Sequence, residues 1–232
     1  MTVKDVLVGV LIVLALAVAA DRVALFFAQH AVALQLQVSG GLSSRPEVRV
    51  HGVPFLTQAI GGKYDEVEVT ARNVTAGGGK LSRLDVTLRG VHISLSDAIA
   101  GDLGQVPVDG LRATVLLSYP DIAGQLRDRG LSVAAAGDKL RVTGSVQMLG
   151  RTITATAISS VSMSGSSVVV TAQRFEVGNA LADRAVSAAL GHRLDFVIRV
   201  GELPFGLQMT SLHVEPAGVV ATAEAGRTVL HR

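Results

Sequence analysis

From Glu47 onward the dominant period of the chain is two. Val48 and Val50 alternate with Glu47, Arg49 and His51, and Val67, Val69 and Ala71 with Glu66, Glu68, Thr70 and Arg72. Leu84, Val86 and Leu88 alternate with Asp85, Thr87 and Arg89; Leu111, Ala113, Val115 and Leu117 follow, then Leu140, Val142 and Val146, then Ile153, Ala155 and Ala157. Such alternation predicts strands with one dry and one wet face. Turn signals separate them at Gly77-Gly78-Gly79, Gly137-Asp138, Leu149-Gly150 and Gly165-Ser166, so the strands read as an antiparallel meander. Helical patterns interrupt the series. Ser96 and Asp97 can cap a short helix to Leu103, and Pro120 suits a first turn carrying Ile122, Ala123 and Leu126, ended by Gly130. Asn179 caps a third, to Leu194, with Leu181, Ala185, Val186, Ala189 and Leu190 as its apolar stripe.

Ahead of the strands, Val6 to Ala20 is uncharged and mostly apolar, bounded by Lys4-Asp5 and Asp21-Arg22. At about 1.5 Å per residue the run reaches about 22 Å, near the upper end for a signal peptide and short of a roughly 30 Å hydrocarbon core. Ala17-Val18-Ala19 offers a small-x-small cleavage site; the other reading is an uncleaved anchor extended by Thr2 and Val3, with Lys4 and Arg22 snorkelling. Residues 23–38 carry no charge and continue helically, lying in the membrane interface or packing under the domain, until Gly40-Gly41 and Ser43-Ser44 break them before Pro46. The expected division is a signal anchor or signal peptide at 1–22, a helical stalk and linker at 23–45, and a β-rich domain at 46–232.

Composition sharpens this. There are six Phe, two Tyr and no Trp, so the apolar mass is Val, Leu, Ala and Ile. The net charge is +2 with no basic run, which argues against nucleic acid as a partner. Absence of Cys excludes disulfides, thiolate metal sites and a cysteine nucleophile. The histidines show no metal-ligand spacing, there is no G-x-S-x-G elbow, and Gly77-Gly78-Gly79-Lys80 lacks the frame of a phosphate-binding loop. Glu66 and Glu68 alternate with Val as a solvated strand face. No catalytic residue, metal site or cofactor is expected.

One internal echo stands out. Arg49-Val50-x-x-Val53-Pro54-Phe55-x-x-Gln58 returns as Arg199-Val200-x-x-Leu203-Pro204-Phe205-x-x-Gln208. The loops Val53-Pro54-Phe55-Leu56 and Leu203-Pro204-Phe205 are candidate lipid contacts, at a mouth or dipping into a membrane, with Lys63 and Arg72 placed to meet an anionic headgroup. The competing reading makes both Phe residues ordinary core plugs.

Pro46-x-Val48, Gly52-Val53-Pro54-Phe55-Leu56-Thr57-Gln58 and Gly62-Lys63-Tyr64-Asp65-x-Val67-x-Val69 resemble the signature of the actinobacterial LmeA-like phospholipid-binding proteins. Leu84-x-Val86-x-Leu88-x-Gly90-Val91 and Leu203-Pro204-Phe205-Gly206-Leu207 fit the same resemblance, which covers essentially the whole chain after the anchor. Val53 departs from it, standing where the family usually has an aromatic. The resemblance implies an envelope protein on the periplasmic side of the cytoplasmic membrane, binding a phosphatidylinositol-type phospholipid and supporting elongation of lipomannan and related lipoglycans. It supplies no catalytic or ligand residues.

The expected fold is α+β and β-dominated: a long curved antiparallel sheet wrapped around a few helices, similar to the tubular lipid-binding proteins, with an N-terminal membrane helix. Val, Leu and Ala on the dry faces suit an apolar groove for acyl chains, and equally a closed core. The alternative function is a non-enzymatic scaffold docking onto a membrane glycosyltransferase.

Overall fold

A computed structural model of the chain describes residues 3–76, 79–102, 104–126, 130–148, 151–164, 167–176, 196–199 and 203–230. The helix expected over 179–194 lies outside them. The described residues form a long N-terminal helix, α1 (Val3–Ser39), followed by a predominantly β chain, and every strand pair of described register is antiparallel. This is the β-dominated architecture with an apolar N-terminal helix that the periodicity predicts. The chain divides into two compact units, residues 1–71, 85–111 and 226–232 in the first and 72–84 and 112–225 in the second.

In the first unit, α1 continues unbroken through Arg22 and the uncharged stretch after it, ending where Gly41 turns to φ +59°. β1 (Glu47–His51) pairs antiparallel with β2 (Lys63–Ala76), placing Val48 opposite Val69 and Val50 opposite Val67. Between them lies α2 (Phe55–Gly61), a helix where the residue pattern suggests a loop. Sheet order continues from β2 to β3 (Gly79–His92) and to β5 (Gly110–Ser118). A second pair joins β4 (Val106–Val108) to β13 (Thr228–Leu230).

The third helix of this unit, α3 (Leu95–Ala100), corrects one expectation. Its cap is Ser94, whose Oγ accepts the Asp97 N–H at 3.1 Å, because Ser94 rather than Ser96 keeps extended backbone. It ends at Gly101, which has φ +74° and lies against the Gln35 side chain of α1, so a Cβ there meets both strain and a clash. α1 packs on β1, α2 and α3. The core gathers Ala28, Val48, Phe55, Tyr64, Ala71, Val91, Val108 and Leu111.

The second unit holds a five-stranded sheet ordered β10-β9-β8-β7-β6, formed by β6 (Leu131–Ala136), β7 (Lys139–Met148), β8 (Arg151–Ser164), β9 (Ser167–Glu176) and β10 (Phe196–Arg199). It also holds β5 from Arg112, followed in sheet order by β12 (Gly218–Ala225) and β11 (Gln208–Glu215). Helix α4 (Tyr119–Gln125) opens on a reciprocal cap. Ser118 Oγ accepts the Asp121 N–H at 3.3 Å and donates to Asp121 Oδ2 at 2.6 Å, while Ser82 Oγ donates to the same oxygen at 2.5 Å. The two serines hold the Asp121 carboxyl below its ordinary pKa, since both bonds favour the ionised form. Leu126, Val133, Leu140, Val142, Ala157, Val170 and Val219 form the core, with Tyr119 and Ile122 of α4 packed on it. On the opposite face of the sheet, Thr143 and Thr156 meet at 3.0 Å and Ser145 and Thr154 at 3.3 Å, so alternation sorts polar from apolar along each strand.

Candidate lipid-contact surfaces

The second unit offers an apolar face whose burial is graded. Along β8 the inward series is Ala155, Ala157, Ser159, Val161 and Met163. The first three are fully buried, Val161 is half-buried and Met163 is 38% exposed. β9 supplies the register partners without the same gradient: half-buried Ala172 lies opposite Ser159, buried Val170 opposite Val161 and half-buried Val168 opposite Met163. Along β8 the face therefore passes from closed core at Ala155 to a partly open edge at Met163, with Val161 and Val168 still packed on the core.

Ser159 stands where the two meet. Its hydroxyl is buried and has no hydrogen-bond partner among the described residues. An unsatisfied buried hydroxyl is costly. The β8–β9 register shifts between Ile158 and Ser159, a bulge at this same point. The sequence reading ended this strand's dry face at Ala157 and missed Ser159, although the series Ala-x-Ala-x-Ser-x-Val-x-Met carries the signal: a polar residue in an apolar row.

The predicted contact loops divide between the units. In the first, Pro54 precedes α2 and Val53 and Pro54 are exposed, with Val53 at 79%. Phe55 takes the core-plug reading: it is 1% exposed, packed on Tyr64 with ring centroids 6.2 Å apart. The reason is the missed helix. Phe55 is the first residue of α2 and points inward, so the apolar face left outside is Leu56 and, one turn on, Ile60, which is 88% exposed. The Tyr64 hydroxyl is buried without a partner among the described residues, and burial raises its pKa. Lys63 is exposed at the start of β2.

α2 is held by a residue far away in sequence. Pro54 provides no side-chain cap; the buried Asp21 of α1 instead accepts the Leu56 N–H at 2.8 Å through Oδ1, and its Oδ2 pairs with Arg22 at 2.6 Å. A carboxylate on the first N–H groups of a helix satisfies donors that would otherwise lack partners.

The echoed loop in the second unit has a different backbone. Leu203 and Phe205 are half-buried, Pro204 is exposed, and Pro204–Gly206 forms a single 3₁₀ turn in which Phe205 takes φ +60°. Arg72 is exposed and belongs to this unit, whereas Lys63 belongs to the first.

The register of β1 on β2 also gathers His51, Glu66 and Glu68, with ligand atoms within 4.8 Å of one another. Arg89 Nε donates to Glu66 at 3.0 Å and His51 Nε2 lies 3.1 Å from Glu68. With Arg89 already supplying a cation on a solvated strand face, the group reads as an ion-pair ladder.

No curated protein and no solved structure matches the chain. Residues 19–224, nearly everything beyond the bare part of α1, are matched by the family described as LmeA-like phospholipid-binding, and the chain belongs to that family.

Proposed function

We propose that this protein binds a phosphatidylinositol-type phospholipid on the periplasmic side of the cytoplasmic membrane and presents it during lipomannan elongation, without itself making or breaking bonds. The family match across most of the chain carries the reading. The acyl chains lie on the open part of the β8–β9 face, along Val161, Met163 and Val168, where each buried CH₂ contributes about 0.8 kcal/mol. Ser159 Oγ donates to an ester carbonyl of the lipid. Leu203, Pro204 and Phe205 of the same unit contact the lipid, and Val53, Pro54 and Leu56 of the first unit contact the membrane. Lys63 and Arg72 meet anionic headgroups. Phe55 acts through packing alone.

Lipid preference is tested by transfer between vesicles. Labelled phosphatidylinositol, phosphatidylglycerol and phosphatidylethanolamine are offered in parallel, and phosphatidylinositol is expected to be extracted first. Equal extraction of all three contradicts the headgroup preference. Extraction of none contradicts lipid presentation and favours a scaffold that docks onto a membrane glycosyltransferase.

A further inference from the structure

α1 changes character at Asp21. Every described residue from Val3 to Ala20 is exposed, and apart from Lys4 and Asp5 none of them is charged. α1 is long and apolar enough to cross a bilayer, and at about 1.5 Å per residue Val3–Ala20 reaches about 27 Å, close to the roughly 30 Å hydrocarbon core. Asp21 is the first buried residue, and beyond it Ala28 and Ala33 are buried as well. The helix therefore does not continue as a free stalk; from Asp21 on it is part of the first unit.

Two apolar surfaces lie at that level. The Asp21–Leu56 hydrogen bond fixes α2 beside the end of the bare stretch, which places exposed Val53, Leu56 and Ile60 there. On the side of α1 turned away from Asp21, at helical spacing, Val23, Phe26 and Phe27 are exposed, the last two by 64% and 65%. Phe27 is about 9 Å along the axis from Asp21, within reach of the headgroup zone that widens a bilayer from about 30 Å to 40–45 Å. Aromatic and aliphatic side chains on both sides of a helix, next to its bare apolar stretch, match the chemistry of that zone. Lys63, exposed shortly after Ile60, adds a cation for anionic lipid.

We propose that the first unit is seated directly in the membrane interface, with Val23, Phe26 and Phe27 on one side of α1 and Val53, Leu56 and Ile60 on the other immersed at the headgroup–acyl boundary. This rests on α1 being retained as an anchor. The unit has no spacer, so its α2 edge touches lipid without any further motion.

The chain has no cysteine, so single-cysteine variants of the full-length protein can be labelled with an environment-sensitive fluorophore in vesicles of phosphatidylcholine and phosphatidylglycerol. The positions are Val53→Cys, Ile60→Cys and Phe26→Cys, with Ile12→Cys reporting the span and Ser39→Cys the far end of α1. Circular dichroism confirms that each labelled protein is folded. The expected result is blue-shifted emission at 26, 53 and 60, quenched by nitroxides attached near the headgroup, with position 12 quenched by deep nitroxides and position 39 by neither. Deep quenching at 12 with water-like emission at 53 and 60 overturns the seating. No quenching at 12 overturns it through the anchor, and leaves phospholipid binding to be judged by the transfer assay.

Discussion

Replacing Ser159 by Ala separates the two demands placed on that hydroxyl. Among the described residues the Oγ is buried without a partner, and such a group costs about 1–3 kcal/mol. Alanine removes the group, leaves the Ala155, Ala157 and Val161 row apolar, and opens a space no larger than one oxygen atom. The delipidated variant is therefore expected to gain about 1 kcal/mol, a rise in Tm of roughly 2–4 °C for a chain of this size. In the proposed complex the same hydroxyl donates to the lipid, and a net hydrogen bond contributes about 0.5–1.5 kcal/mol, so phosphatidylinositol affinity should fall roughly threefold to tenfold. Thermal unfolding by circular dichroism reads the first effect and titration with short-chain phosphatidylinositol the second. A less stable variant refutes the claim that the hydroxyl is unsatisfied. A more stable variant with unchanged affinity refutes its role toward the lipid.

Phe55→Ala removes a fully buried ring and is expected to destabilise the first unit by about 3–5 kcal/mol, measured by denaturant unfolding, whereas Val53→Asp leaves stability nearly unchanged and weakens vesicle binding in a flotation assay. Asp121, whose folded-state pKa is depressed by Ser118 and Ser82, stabilises the fold above its unfolded pKa of about 4. That contribution disappears as pH falls through the lower folded value, so Asp121→Asn should flatten the acid limb of a stability–pH curve and leave its slope above pH 5 as it was. Asp21→Ala takes away the acceptor of the Leu56 N–H, and hydrogen exchange at the start of α2 should accelerate while the five-stranded sheet stays protected; Asp21→Asn, which keeps an acceptor oxygen, should be milder.

The strands that alternate cleanly were legible from sequence, and β1, β2, β3, β5, β7 and β8 all appear where the period of two places them. β11 was not, for a physical reason: its register shifts between Met209 and Ser211, and a bulge breaks the alternation that would reveal it. β6 is rich in alanine, which carries little strand preference. α2 was hidden by Pro54, which reads as a loop residue but here precedes the first helical residue, and by a cap supplied from Asp21, outside any local window. For the same reason Phe55 could not be assigned to the core: whether a ring after a proline faces in or out depends on the helix it begins. Ser159 was legible in principle, since one polar residue in an apolar row needs only that the row be followed far enough.

The most direct test of phospholipid binding is native mass spectrometry of a chain beginning at Ala20, which keeps Asp21 and the packed part of α1, followed by solvent extraction of whatever it carries. The account predicts a mass higher than the polypeptide by one phospholipid, which extraction releases and vesicles containing phosphatidylinositol restore. A bare polypeptide mass that does not change after incubation with those vesicles would contradict it.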